Sequence, residues 1–573
     1  MLPTPPMKLL PTRPLRLPRL RTYVPRPEDP KIFWFNSERA DIVDEVVRRI
    51  MERYDAEESA ELALSDAAYH ETLRLEADKS EGARRKLDYW RGILRRVGRM
   101  SVEGKHETLR EIALTMANDV AGNFDPRVYH FASRFIPGVL TAAMNPSNIL
   151  QNVVGSGASN LDGLVTTEGP IDKIRTVANR GTVVLVPTHS SNLDSIALGW
   201  VLFREGLSPV VYGAGKNLFT NPIISFFMHN LGAYRVDRRV KAGLYKEILK
   251  AYSCVVLERG YHSLFFPGGT RSRSGALESH LKLGLAGTGV EAFARNRARG
   301  IDRPVYFVPA TINYALVLEA ETLIEDYLKE EGRARYIIED DEFSRIERWI
   351  SFFNKFRGLE SVCVIRFGEP LDPFGNPVDE QGRSLVPDGR VIDPGTYVTR
   401  RGTPSVDARR DAAYTRALGK VLAEAYQRET VVMPTQLVAH VLFRRIARAT
   451  PGLDLFARLR HRGIAIPCEE LREEIGQTRD RLLALEAEGR VHVSNFVRRQ
   501  PAANILDGSL ATWAGYHSAR QVARVQNGSV IAEDPNLLLF YQNRLRPFAI
   551  AIAGDDEADQ AAAREIAAME RRA

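Results

Sequence analysis

The sequence predicts an α/β fold: a mostly parallel sheet covered by helices, with helical N-terminal and C-terminal regions. Three observations carry this. Between residues 180 and 370, short β-branched apolar runs alternate with helical stretches. Residues 35–135 and 406–495 are instead rich in Glu, Arg, Ala and Leu, a composition suited to continuous helix. Finally, 573 residues exceed what one core organises, so several units are expected.

Residues 1–34 form a basic arm, with Lys8, Arg13, Arg16, Arg19, Arg21 and Arg26 set among prolines. It reads as a disordered segment or as an electrostatic tether to anionic headgroups. It lacks the apolar stretch of a signal peptide, and its prolines would break the amphipathic helix of a transit peptide. Residues 35–135 form the N-terminal helical region, with 42–53 and 107–119 its clearest helices.

Residues 136–370 are the α/β unit, entered through a Gly, Ser, Asn and Pro-rich connection at 137–160. Strands are expected at 182–187, 209–213, 233–236, 263–267, 305–312 and 361–367, with helices at 193–203, 240–259 and 279–299. Residues 371–405 are a Gly/Pro-rich loop, functional or a linker. Residues 406–573 form the C-terminal helical region, within which 467–493 resembles a helical pair followed by a strand, as in a winged helix. No internal repeat is evident.

The composition is that of a globular chain, with 44% apolar and 26% charged residues. Cys254, Cys363 and Cys468 form no cluster, which argues against a disulfide framework or a zinc site and favours a reducing compartment. A net charge of +7 permits contact with anionic lipid, an acidic carrier protein or nucleic acid without choosing among them. No run reaches the length of a membrane-spanning helix.

Chemistry gathers at the predicted strand ends. His189 and Asp194 lie in Val186-Pro187-Thr188-His189-Ser190-Ser191-Asn192-Leu193-Asp194, directly after the run 182–186. On one helix these side chains would point about 140° apart. Across a strand-turn-helix junction they can meet, as a general base with its orienting acid. Ser190, Ser191 and Asn192 can each cap the following helix. The spacing alone is weak evidence, since a histidine satisfied at a strand end explains it equally well.

Phe265-Phe266-Pro267-Gly268-Gly269-Thr270-Arg271-Ser272-Arg273-Ser274-Gly275 follows another strand. Gly268 and Gly269 allow positive φ and exposed N–H groups, and Arg271 and Arg273 project to one side of an extended segment. Such a loop suits a phosphate ester, although a Gly-Gly turn with solvated arginines fits too. Lys216 follows the strand near 209–213, and Arg238 follows that at 233–236. Parallel topology brings these basic loops together. The segment 221–231 is apolar, read either as a core helix or as an interfacial helix dipping into lipid.

Four blocks in this order resemble the glycerophospholipid acyltransferase superfamily: 189–194, 213–238, 266–275, and Val308-Pro309-Ala310-Thr311-Ile312-Asn313-Tyr314. Phe367-Gly368-Glu369-Pro370-Leu371, the helix from Ala408, and residues 537–545 are similar to the long bacterial glycerol-3-phosphate acyltransferases and their mitochondrial and dihydroxyacetone phosphate-using relatives. One departure stands out: the third block usually carries Glu where this chain has Gly268.

The resemblance implies a peripheral or monotopic O-acyltransferase at the cytoplasmic face of the cell membrane. It implies transfer of an acyl group from acyl-CoA or an acyl carrier protein thioester to glycerol-3-phosphate, with no metal or other cofactor. His189 would be the base and Asp194 its partner. Arg238, Arg271, Arg273 and Lys216 would hold the phosphate, while Gly268, Gly269, Ser272 and Pro309 would shape the loop and acyl pocket. Dihydroxyacetone phosphate and lysophosphatidate remain alternative acceptors, and Gly268 keeps open a catalytically weak membrane scaffold. A nucleic-acid-binding role is disfavoured by the many glutamates of 467–497.

Overall fold

The computed structural model describes residues 23–78, 81–134, 165–216, 222–331, 362–517, 521–548 and 550. Most of the basic arm, and the connection at 137–160, lie outside these residues.

The chain opens with four helices, α1 (Phe35–Arg53), α2 (Glu57–Glu76), α3 (Glu81–Arg96) and α4 (Val102–Val120). Ile42, Val46 and Ile50 repeat at helical spacing on α1 and are buried with Ile248, Tyr252 and Val255 of the helix Gly243–Glu258. Arg49 grips Glu258 through two bonds of 2.6 and 2.8 Å, which pairs a carboxylate that burial alone would disfavour.

The central sheet has seven strands: β1 (Val165–Glu168), β2 (Thr182–Pro187), β3 (Val211–Gly215), β4 (Ala233–Val236), β5 (Ser263–Leu264), β6 (Val305–Tyr314) and β7 (Cys363–Phe367). Their order is β1-β7-β6-β2-β5-β3-β4, and every pairing is parallel except β6 with β7. β2 reads as an uninterrupted apolar run because both its faces are covered. Val183 and Leu185 join Leu198 and Val201 of the helix Asp194–Arg204, while Val184 and Val186 join Val290 and Phe293 of the helix Ala286–Ala298.

The expected strands all occur, β2 and β4 with the expected bounds and the others with shifted ends. β3 starts later than 209, β5 pairs over only two residues, and β6 runs on to Tyr314 because β7 gives it a partner there. β1, which was not expected, is held by β7 alone.

Two sequence readings need correction. Residues 467–493 contain one helix, Cys468–Ala487, rather than a pair. Gly476 invites a break, but Leu471, Ile475, Thr478 and Leu482 keep a single buried face through it. The loop at 371–405 also hides a repeat. Three seven-residue turns, 371–377, 378–384 and 385–391, follow one another. Each closes on a backbone bond: Asp372 to Asn376 at 2.8 Å, Asp379 to Arg383 at 2.9 Å and Val386 to Arg390 at 2.9 Å. Gly375, Gly382 and Gly389 take the left-handed position in each, with φ of 86, 73 and 84°.

Candidate active site

β2 ends at Pro187, and the chain turns through Ser190–Leu193 into the helix that Asp194 begins. An Asp in the first helical turn directs its carboxylate back toward unpaired N–H groups, and the helix dipole favours its charge. Asp194 Oδ2 accepts from Ser190 N at 2.7 Å and Ser191 N at 3.0 Å, and it meets His189 Nδ1 at 2.7 Å. Its Oδ1 accepts from Tyr314 OH at 2.9 Å. The carboxylate is fully buried and the imidazole partly exposed.

These contacts set the chemistry. An ionised carboxylate only accepts, so the neutral imidazole keeps its proton on Nδ1 and leaves Nε2 able to take one. Nε2 has no protein partner among the described residues. Phe266 stacks on the ring with centroids 4.1 Å apart and planes 22° apart, which fixes its tilt.

The loop after β5 docks onto the same turn. Ser272 N donates to His189 O at 2.8 Å, and Ser272 Oγ to Ala276 O at 2.8 Å. Arg271 meets Glu319 at 3.3 Å; Glu319 also accepts from Ser191 Oγ and from Asn192 N, each at 2.9 Å. Burial pushes the Glu319 carboxyl upward, opposed by Arg271 and these donors. Arg273 pairs with Glu330 at 2.7 Å. Both arginines therefore turn toward the flank of the helix Ala320–Glu331. Gly269 has a φ of 74°, as the Gly-Gly reading anticipates, but Gly268 has no left-handed φ.

Lys216 and Arg238 follow β3 and β4, on the same edge of the sheet but beyond β5. Lys216 lies 3.4 Å from Asp119 and 3.3 Å from Asp237, and Asp119, supplied by α4, also meets Arg235 at 3.2 Å. Arg238 is exposed. Pro309 is buried inside β6, in register with Val186, and accepts from Gly368 N at 2.8 Å. Tyr314, at the far end of β6, is the residue of that block that touches the His189–Asp194 pair.

The sequence assigns no role to four groups found here, although Tyr314 and Arg544 lie in stretches that carry the resemblance: Tyr314, Glu319, Glu278 and Arg544. Glu278 Oε1 accepts from His189 N at 2.8 Å. Arg544 is buried, with bonds of 3.2 Å to Ile312 O and 3.3 Å to Asn313 Oδ1, and burial lowers its pKa to about 10. It lines a small cavity with Ser190, Ser272 and Tyr314. All four come from distant segments, so no local spacing announces them.

Residues 170–313 match the protein family described as Acyltransferase. A glycerol-3-phosphate acyltransferase of Pseudomonas aeruginosa is 30% identical over 219 residues, which cover 38% of this chain and 23% of the relative. That of Aeromonas hydrophila is 35% identical over 153 residues, 26% and 18% of the two chains. That of Haemophilus ducreyi is 32% identical over 203 residues, 35% and 23%. The chain thus spans less than a quarter of the length of these curated relatives. Residues 170–313, which hold His189, Asp194 and the 266–275 loop, thus match the acyltransferase family model, and the chain is similar over part of its length to glycerol-3-phosphate acyltransferases.

Proposed function

We propose that this chain transfers a fatty acyl group from an acyl-CoA or acyl carrier protein thioester to the sn-1 hydroxyl of glycerol-3-phosphate, giving lysophosphatidate. The observation that carries this reading is His189, held through Nδ1 by Asp194 with Nε2 unpartnered among the described residues, beside the arginine-bearing loop. Nε2 takes the hydroxyl proton as the oxygen attacks the thioester carbonyl. The tetrahedral intermediate collapses, the C–S bond breaks, and the imidazolium returns the proton to the departing thiolate. Asp194 stabilises the imidazolium without taking its proton. The names of the relatives support glycerol-3-phosphate as acceptor.

Arg271, Arg273 and Arg238, with Lys216, bind the acceptor phosphate in this reading, and Arg271, Arg273 and Lys216 trade their carboxylate partners for phosphate oxygens. The test is acyl transfer by purified protein in lipid vesicles, offering glycerol-3-phosphate, dihydroxyacetone phosphate and lysophosphatidate with each thioester. Wild type is expected to favour glycerol-3-phosphate; preference for another acceptor reassigns the substrate. Arg271→Ala is expected to raise the acceptor KM by about tenfold or more, the loss of roughly one charge-assisted bond, while the thioester KM stays nearly constant. Arg271→Lys recovers only part, because an ammonium has no fork. A rise confined to the thioester KM assigns these arginines to the donor.

The same reading places the protein on the anionic cytoplasmic face of the cell membrane. Among the described residues no helix is long and apolar enough to cross a membrane. The helix Pro222–Asn230 supports surface contact: none of its described side chains is fully buried, and Phe226 is 38% exposed. Phe227 stacks with Phe131, itself 53% exposed, at 6.5 Å. Flotation with anionic vesicles is expected to weaken in high salt and to fall further for Phe131→Asp with Phe226→Asp. Unchanged flotation of that folded variant rejects this surface as the lipid contact.

A further inference from the structure

Gly268 stands where the resembling blocks carry Glu, and its surroundings explain the glycine. Its backbone does not require one, since its φ is not left-handed, unlike that of Gly269. What stands in the way of a side chain there is a neighbouring carboxyl group. A Cβ at 268 would stand 2.7 Å from both Cδ and Oε1 of Glu278, and 3.0 Å from Oε2. The carboxylate of Glu278 fills the room that a side chain at 268 would need.

That carboxylate is directed at the base. Oε1 accepts from the backbone N–H of His189 at 2.8 Å, the one partner of that donor among the described residues. Glu278 is half-buried as a residue, but its Oε2 is shielded from solvent and has no hydrogen-bond partner there. Burial and the charge of Asp194 push its pKa up to about 7, while Arg544 and the N–H groups of His189 and Gly268 oppose the rise. An apolar side chain would fill the same space without that desolvation cost. What the carboxylate adds is an acceptor for the His189 peptide, which itself holds the 266–275 loop through Ser272 N.

We propose that Glu278 is a positioning residue for His189, supplying from a separate stretch of chain the group that the third block lacks at Gly268. The inference rests on His189 acting as the base of the proposed acyl transfer. Glu278 does not touch substrate; it fixes the peptide from which the imidazole projects and, through it, the register of the arginine loop.

The experiment compares wild type, Glu278→Ala, Glu278→Gln, Gly268→Glu and the double variant Gly268→Glu with Glu278→Ala. Each is the full chain in phospholipid vesicles with acyl-CoA and glycerol-3-phosphate. Glu278→Ala is expected to lose up to about 10²-fold in kcat through misplacement of the base, with an acceptor KM near that of wild type. Glu278→Gln keeps kcat within about threefold, because its amide oxygen accepts the same N–H. Gly268→Glu alone is impaired, since two carboxylates cannot share one space. The double variant regains at least about tenfold over Glu278→Ala, roughly 1.4 kcal/mol of barrier.

A purely space-filling role is separated by Glu278→Leu, which fills the space but accepts no hydrogen bond: the positioning role predicts that it is as impaired as Glu278→Ala, and a folded Glu278→Leu with kcat near wild type overturns the proposal. A folded Glu278→Ala with kcat close to wild type overturns the proposal, as does a double variant no better than Glu278→Ala. If Glu278→Ala does not fold, Glu278→Leu takes its place in both comparisons, alone and with Gly268→Glu. Wild type inactive with every acceptor would instead overturn the acyl-transfer reading. The positioning is then decided by the rate of diethyl pyrocarbonate modification at His189, followed by mass spectrometry. That rate is expected to change in Glu278→Ala and return in the double variant; an unchanged rate overturns the proposal.

Discussion

His189→Ala is expected to lower the proposed acyl transfer by about 10²–10⁴-fold while leaving the fold intact, the usual loss on removing a general base. The imidazole is partly exposed, and among the described residues its ring hydrogen-bonds to Asp194, so its removal leaves no large cavity. Asp194→Asn is a more informative partner. Asp194 accepts from two backbone N–H groups, the imidazole and Tyr314, and every one of these contacts asks for an acceptor. An amide has one acceptor oxygen, so its NH₂ must face at least one of these donors. Where it faces Nδ1, the ring takes the tautomer with its proton on Nε2, and the base is lost. Tyr314→Phe keeps the three contacts to Oδ2 and is expected to cost far less than Asp194→Asn. Transfer rates of the purified variants, with thermal melts as folding controls, measure the difference. Near-native activity of folded His189→Ala would remove this residue from the chemistry.

The pair was readable in the sequence because its geometry is local. A β-branched strand, a proline and a short polar turn before an apolar helix place a His and an Asp five apart in one bend, whatever the rest of the chain does. The loop at 266–275 was readable for the same reason. Its supports were not. Tyr314 reaches Asp194 because β6 is extended by β7, and Glu319 reaches Ser191 from the start of another helix. Such contacts depend on sheet order, which the alternation of strands and helices leaves open.

Three further features were missed for separate reasons. The antiparallel β7 cannot be told from a parallel strand by its apolar run, since both its faces are buried. The helix at 468–487 looked like two because Gly476 sits at its centre. The seven-residue turns did leave a signal, an Asp followed three residues later by Gly at 372 and 379, which the third turn blurs by placing Val at 386. Comparing 371–391 with itself at a shift of seven would have found them.

Gly275→Ala is expected to damage stability and activity together. Gly275 has a φ of 78°, and a Cβ there would stand 2.1 Å from the carbonyl oxygen of Phe540. The left-handed conformation costs a non-glycine residue about 1–2 kcal/mol. Overpacking against backbone that cannot rotate away adds about 1–3 kcal/mol. Together, roughly 2–5 kcal/mol must be relieved by moving either the loop or the C-terminal segment Pro535–Gln542. Asn543 ties the same two pieces, donating to Ser274 O at 2.9 Å. Any shift therefore pulls on the stretch that carries Arg271 and Ser272, and through Ser272 N on His189. Gly284→Ala is the matched control: its Cβ would meet nothing within 4 Å, and its φ is ordinary. Denaturant melts and acceptor KM values for both variants separate the outcomes. Lower stability and a raised acceptor KM for Gly275→Ala alone mean that the C-terminal region, distant in sequence, is the wall holding the arginine-bearing loop against His189. Equal behaviour of the two variants would detach that region from the site and leave the loop held by contacts such as those to His189, Glu319 and Glu330.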